Sequence, residues 1–431
     1  LTDVTGVQTC ALPILALGGD NVLGSGALVL AGGTVASDTT AGRAQTNALA
    51  ITTAIGLGDA VNNGALTFSG DIDFTGQGRS ITNYSDVTFT GSSGNGGFGE
   101  TRGPATLTFQ GGEHDWLKGA ALWVKNGSLV FDGAVVTNAD AFRVGSQVAL
   151  GTSRFVVTNG AVLVSTNASA NIRVGYTGGS ATATNILDVA GRITMNTSGT
   201  AGKLQMGEAS AHSIANLRAG GEIEVALVSK DAGGGFTEFN FDGGILRAME
   251  NSTAFMTGLD AANILAGGAV FDVQSFAVTV GQPLQGVGDL TKLGNGVLTL
   301  SGTNTYAGNT LIAAGALSIA SSNALPGWDT AGRYAVSNGA ALVVGNAVSD
   351  GEVATMLGTG NFLANSGFGF DTSAGNRTYD AAIADSPGVL GLVKLGANTL
   401  ALGGNNTYSG GTYIYGGRSE ERRVGKECRS R

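Results

Sequence analysis

The sequence predicts an all-β chain wound as a parallel β-solenoid, and three observations predict it. Apolar residues alternate with Thr or Asn in short runs, as in Leu107-Thr108-Phe109, Ile193-Thr194-Met195, Phe239-Asn240-Phe241 and Leu298-Thr299-Leu300. Alternation places the apolar side chains on one face of a strand and the polar ones on the other. The runs are broken by Asn-Gly, Asp-Gly and Gly-Gly pairs, which accept positive φ at tight corners. Finally, the chain repeats itself: KLGNGVLTLSGTNTYAGNTLIAAG at 292–315 returns without a gap as KLGANTLALGGNNTYSGGTYIYGG at 394–417.

Composition supports the same class. Of 431 residues, 73 are Gly and only 5 are Pro, a glycine share more than twice the usual figure of about 7%. Collagen is excluded, because it needs Gly at every third position with abundant Pro. A hydrophobic content of 42% leaves enough apolar surface to offset chain entropy, so disorder is excluded too. The charged share is 13%, and Thr, Asn and Ser are abundant, which disfavours helices. Helical patterns are confined to single turns at Ala262–Leu265 and Ala354–Leu357. The net charge of −9 disfavours a nucleic-acid partner. No apolar run reaches the roughly 18 residues of a membrane-spanning helix.

The two ends differ from the rest. RSEERRVGKECRSR at 418–431 carries six basic and three acidic residues, and LTDVTGVQTCALPI at 1–14 lacks the glycine punctuation that begins at Leu15. Both are read as adaptor-like, non-native segments; a frayed start and a solvated basic tail are the alternative. Without them the remaining core, 15–417, has 17 basic and 28 acidic residues and no cysteine. Such a composition fits an exported protein that avoids disulfides.

A finer repeat sets the coil length. Gly220-Gly221, Gly243-Gly244 and Gly267-Gly268 each precede an apolar position, in steps of 23 and 24 residues. That step is one coil of a parallel solenoid. A sandwich would show turn signals every 8–12 residues or so, and corner glycines at about that spacing keep it as the alternative. A degenerate third copy of the long repeat sits at Thr106–Gly111 and continues at Gly127–Phe131.

The pattern LTKxGxGxLxLSGxNTYxGxTxIxxGxLxI, carried by Leu290 through Ile319 and again from Leu390 to Gly417, resembles the passenger-associated transport repeat of autotransporters. The resemblance is close over 239–417, with repeats at about 286–320 and 388–417, and diffuse over 15–238, read as degenerate coils. It implies a right-handed single-stranded parallel β-helix exported by the type V route. It also implies a signal peptide and a translocator β-barrel in the full-length protein, so that this chain is an internal fragment or a member anchored differently.

Within the repeat every motif residue has a structural expectation. Leu298, Leu300, Leu400 and Leu402 fill the interior. Gly294, Gly302, Gly308, Gly315, Gly396, Gly404, Gly410 and Gly417 sit at corners. Asn304 and Asn406 suit an asparagine ladder between coils. Tyr306 and Tyr408 stack or cover an edge. Lys292, Lys394, Thr310 and Thr412 complete the motif.

Signals for chemistry are sparse. His114, between Glu113 and Asp115, is the sole cluster around a histidine and is read as a surface loop, with the glycine-rich 92–103 stretch as another early-opening segment. The pairs Asp71/Asp73 and Glu222/Glu224 put two carboxylates on one strand face, as glycoside hydrolysis or calcium binding requires, but no base cluster stands beside them. Gly94–Gly99 matches G-x-G-x-x-G without a following helix, and Gly18-Gly19-Asp20 is a single imperfect calcium-repeat unit. No catalytic, metal or cofactor site is assigned.

The functional expectation is a non-enzymatic passenger or stalk at the bacterial surface or secreted, supporting its own export and adhering to a host, extracellular-matrix or polysaccharide surface. A β-helical carbohydrate-active enzyme with its groove in 15–238 and a purely structural surface protein are the alternatives. At about 22 residues per coil, 15–417 make on the order of 18 coils, a rod of roughly 85 Å.

Overall fold

The computed structural model describes residues 14–116, 121–139, 141–145, 151–165, 170–176, 182–195, 202–208, 212–385 and 387–415. The terminal segments 1–13 and 418–431, read above as adaptor-like, and the repeat residue Gly417 lie outside the described residues. The described chain is a parallel β-solenoid of about 16 turns, a stack roughly 75 Å long at about 4.8 Å per coil. Coils are fewer than expected because several are wide: Val162 pairs with Arg192 and Arg192 with Glu222, steps of 30 residues, against 20 from Leu290 to Thr310.

Each regular coil has three faces. In the first long repeat, Leu290–Leu293 forms the first face, Val297–Leu300 the second, and the segment through Asn304 the third; Thr310–Ile312 then returns to the first. The first two faces belong to one sheet of 30 strands, and the third face is a separate 11-stranded sheet. Two long strands, Ile72–Asn83 and Ser93–Arg102, join the first two faces by bending around the corner between them. The register shifts there between Gly94 and Glu100, so the G-x-G-x-x-G stretch is this bend. The double glycines are corners as expected, with Gly220, Gly243 and Gly268 at positive φ.

One interior column of aromatic rings runs through five successive coils. On the third face Phe68, Phe89, Phe109, Phe131 and Phe155 follow one another with ring centroids 5.4–5.7 Å apart. The degenerate third copy belongs to this column: Leu107 stacks on Leu129 as Leu298 stacks on Leu317, but on a different face.

Three local expectations are corrected. Ala354–Leu357 is part of a full helix, Asp350–Gly358, because Ser349 and Glu352 form a capping box that satisfies its first amides. Ala262 lies in the strand Ala261–Ile264. His114 is not on a surface loop; it sits in the strand Glu113–Asp115 and is buried against Phe109 and Trp116. Ser93 Oγ lies 2.8 Å from its Nδ1, Trp116 Nε1 donates to the same hydroxyl at 2.7 Å, and Gly111 O lies 3.0 Å from its Nε2. A carbonyl only accepts, so Nε2 holds the proton and Nδ1 accepts from Ser93. The imidazole is an interior connector with no carboxylate behind it, and burial pushes its pKa below 6.5. The unfolded chain therefore binds the extra proton as pH falls through 6.5, and folding stability drops there. His114→Ala is expected to destabilise by about 2–4 kcal/mol in denaturant titration, and to remove this part of the acid sensitivity.

Candidate functional site

The repeat motif is explained by backbone needs. Lys292 is fully buried, and its Nζ donates to Gly294 O at 2.6 Å, Gly296 O at 2.7 Å and Ala314 O at 2.8 Å. Lys394 repeats the device, donating to Gly396 O at 2.8 Å and Thr372 Oγ1 at 3.1 Å. Lys-x-Gly is thus a staple across a corner. Gly294 and Gly396 stand at φ +80° and +78°, and a Cβ on Gly294 would lie 2.4 Å from Gln274 N. Gly302, Gly308, Gly404 and Gly410 are close-approach positions, where a Cβ would meet the backbone of a neighbouring coil. Gly315, also at a corner, has positive φ.

Tyr306 is buried, and its hydroxyl lies 2.6 Å from Thr310 Oγ1; Tyr408 and Thr412 stand 2.8 Å apart in the second copy. Burial pushes the Tyr306 phenol up to about 12. Leu298 and Leu300 are interior, whereas Leu400 and Leu402 are half-buried, having no described coil stacked beyond them.

Asn304 does not form an asparagine ladder. Its Oδ1 accepts from Leu284 N at 2.8 Å and its Nδ2 donates to Ala324 O at 2.7 Å, substituting for backbone across two gaps. Asn406 accepts likewise from Ile383 N. The ladder lies elsewhere, on the third face: Gln285 donates to Asn263, Asn263 to Asn240, Asn240 to Asn216 and Asn216 to Asp188, at 2.8–2.9 Å.

The carboxylate pairs are likewise structural. Glu222 pairs with Arg192 and Arg247, and Glu224 with Arg192. Asp71 accepts from Ser92 N, and Asp73 from Asn95. Asp20 accepts from Ala44 N. Among the described residues no group of three or more His, Cys, Asp or Glu side chains is placed to hold a metal ion.

A lateral groove of about 670 Å³ runs along the second face. Its floor is a column in register: Ala277, Val297, Ala316, Ala341, Gly367 and Gly391, one residue from each of six successive coils. Small side chains stacked at one phase leave a trough roughly 24 Å long between the taller neighbours on each coil. Val393 and Leu395 make an apolar wall, in a cluster separate from the interior core. Tyr413 and Tyr415 stand at one end, and Asn251, Asn295 and Asn365 at the rim. None of the lining residues is Asp, Glu, Lys, Arg or His. No sequence motif marked this column, because its members share a phase rather than a residue type; reading the residue before each interior Leu or Phe would have found it.

The passenger-associated-transport-repeat family profile matches residues 290–319 and 392–418. The chain carries two copies of the passenger-associated transport repeat. Over 140 residues, 32% of this chain, it is 34% identical to "Adhesin BmaC autotransporter" of Brucella suis biovar 1 (strain 1330). The match spans only 4% of that protein's length. No solved structure matches the chain.

The passenger repeat's lysine makes a testable prediction. Burial lowers Lys292 from its ordinary 10.5 to about 8, with the Asp272 charge opposing. Between those values the unfolded chain binds more protons than the folded one, so stability rises from pH 8 to 10.5. Lys292→Met should abolish that rise and cost about 1–3 kcal/mol, from carbonyls left unpaired. Denaturant titrations of both proteins across this pH range check it.

Proposed function

We propose that the chain is part of a surface-displayed or secreted autotransporter passenger that works by adhesion, without catalysis, and that the lateral groove takes an extended neutral polysaccharide. The single observation that carries this reading is the groove's lack of any charged side chain. General acid–base or nucleophilic chemistry needs titratable groups within hydrogen-bond reach of the reacting atoms, and the groove offers none beyond two tyrosines. An uncharged trough also disfavours an anionic ligand, whose lost hydration nothing there would replace. A neutral sugar chain fits: its apolar ring faces lie on Val297, Val393 and the tyrosines, and its hydroxyls bond to the rim amides.

The relative named as an adhesin supports the adhesive part. The stacked repeats support a role in the protein's own export, because each coil that emerges gains a template in the one before it. A translocator β-barrel is the membrane partner this reading requires in the full-length protein.

Binding to immobilised neutral polysaccharides tests it. Val297→Arg and Ala316→Arg, both on the outer side of their strands, should weaken binding at least tenfold while leaving the far-ultraviolet spectrum unchanged. Equal binding by these variants, or cleavage of the polysaccharide by the unaltered chain, would overturn the reading.

A further inference from the structure

Elsewhere on the second face, outward-pointing side chains form a second column of different character. Trp123 pairs in register with Arg143, Arg143 with Arg173, and Arg173 with Gln205, on four successive coils. Tyr176, just past its strand, reaches back over this column. Its ring centroid lies 4.9 Å from that of Trp123, edge to face, and both rings are partly exposed. The Arg143 and Arg173 guanidiniums lie 4.5 Å and 5.4 Å from the Tyr176 ring centre. The Lys125 ammonium is 4.0 Å from the centre of Trp123.

The cations of this cluster differ in their commitments. Lys125 is paired with Glu100 at 2.5 Å and Arg173 with Glu208 at 3.0 Å. Among the described residues Arg143 has no such partner. Every other described arginine donates at least one hydrogen bond to the protein: Arg79 and Arg333 to carbonyls, the rest to carboxylates. Arg143 donates none to a described residue, and its Nε is shut away from water without an acceptor. A guanidinium carries five N–H donors in a rigid fork suited to carboxylate or sulfate. Here it is held against an aromatic face with that capacity unused.

We propose that Arg143, Trp123 and Tyr176 form a binding site for an acidic sugar. The carboxylate or sulfate of the sugar docks on Arg143, and its ring packs on the exposed parts of the two aromatic side chains. The flanking Glu100 and Glu208 limit the site to one negative group at a time. That restriction, with the chain's net charge of −9, disfavours nucleic acids and other dense polyanions. A polymer with one acidic group per sugar or per disaccharide presents its charges singly. This site shares no residue with the uncharged groove and does not depend on it.

The test uses the full chain, with tetra-galacturonate as the carboxylate probe and a chondroitin sulfate tetrasaccharide as the sulfate probe. Calorimetry and tryptophan fluorescence are the readouts. At least one probe should bind, more weakly as salt rises, with a change in fluorescence that Trp123→Phe removes. Arg143→Gln should lower affinity at least tenfold, and Arg143→Lys should retain part of it. Arg143 points outward, so both variants should melt like the unaltered chain and bind neutral polysaccharide equally well. If Arg143→Gln melts early, the comparison of Arg143→Lys with the unaltered chain decides instead. Equal binding by the Arg143 variants, binding of neither probe, or equal binding of a tetra-aspartate peptide would overturn the proposal. Retained neutral binding in those cases would leave the groove reading standing.

Discussion

The parallel hydrogen-bond ladder between successive coils is the constraint on which the rest of this molecule depends. Leu290 N donates to Asn309 O and Ala316 N to Gly296 O, each to a coil next in the stack. Because every coil is bonded to its neighbours in this way, each residue lies about 4.8 Å from its counterparts above and below. Columns follow from that spacing. Interior columns collect Phe and Leu, corner columns collect Gly, and outer columns collect whatever the surface requires.

Polar groups inside such a stack must be matched coil by coil, since a buried donor or acceptor without a partner is costly. The chain solves this in two ways. Lys292, Asn304 and Tyr306 each bond to backbone or to a hydroxyl within reach, so every repeat carries its own solution. The Asn216–Asn240–Asn263 ladder instead depends on identical residues arriving at the same height. Asp188 extends that ladder and is nearly buried between Arg154 and Arg218. These links discriminate register more than they add stability, because a coil slipped by one residue would set like against unlike.

The outer columns differ in chemistry along the stack. On one stretch the second face is smooth, small and uncharged; on another it holds aromatic rings, guanidiniums and a lysine. Both follow from the same geometry, which repeats an outward position at a fixed pitch and so converts a sequence phase into a line on the surface. A solenoid of this kind can vary its outer columns without altering its core.

Much of this was legible without coordinates. Alternation and glycine punctuation identify strands and corners because their causes are local: side-chain period, positive φ and burial. The gap-free repeat at 292–315 and 394–417 identifies the solenoid, since stacking favours like on like. Tertiary structure decided what depends on register. The two repeats align without a gap, yet Leu290–Leu293 pairs within the first-face row, while Leu390–Leu395 continues the row of Val297–Leu300 through Ser366–Asp371. Between them the first face narrows to a single bridge, Val336 to Phe362, after the helix Asp350–Gly358. His114 reads as a polar residue among charges, but its strand turns it inward onto Ser93, two coils' worth of packing that its neighbours in sequence do not reveal. No motif marks the groove or the Arg143 cluster for the same reason: their members are some 20 to 30 residues apart in sequence, and the number of residues in each intervening coil determines which of them meet.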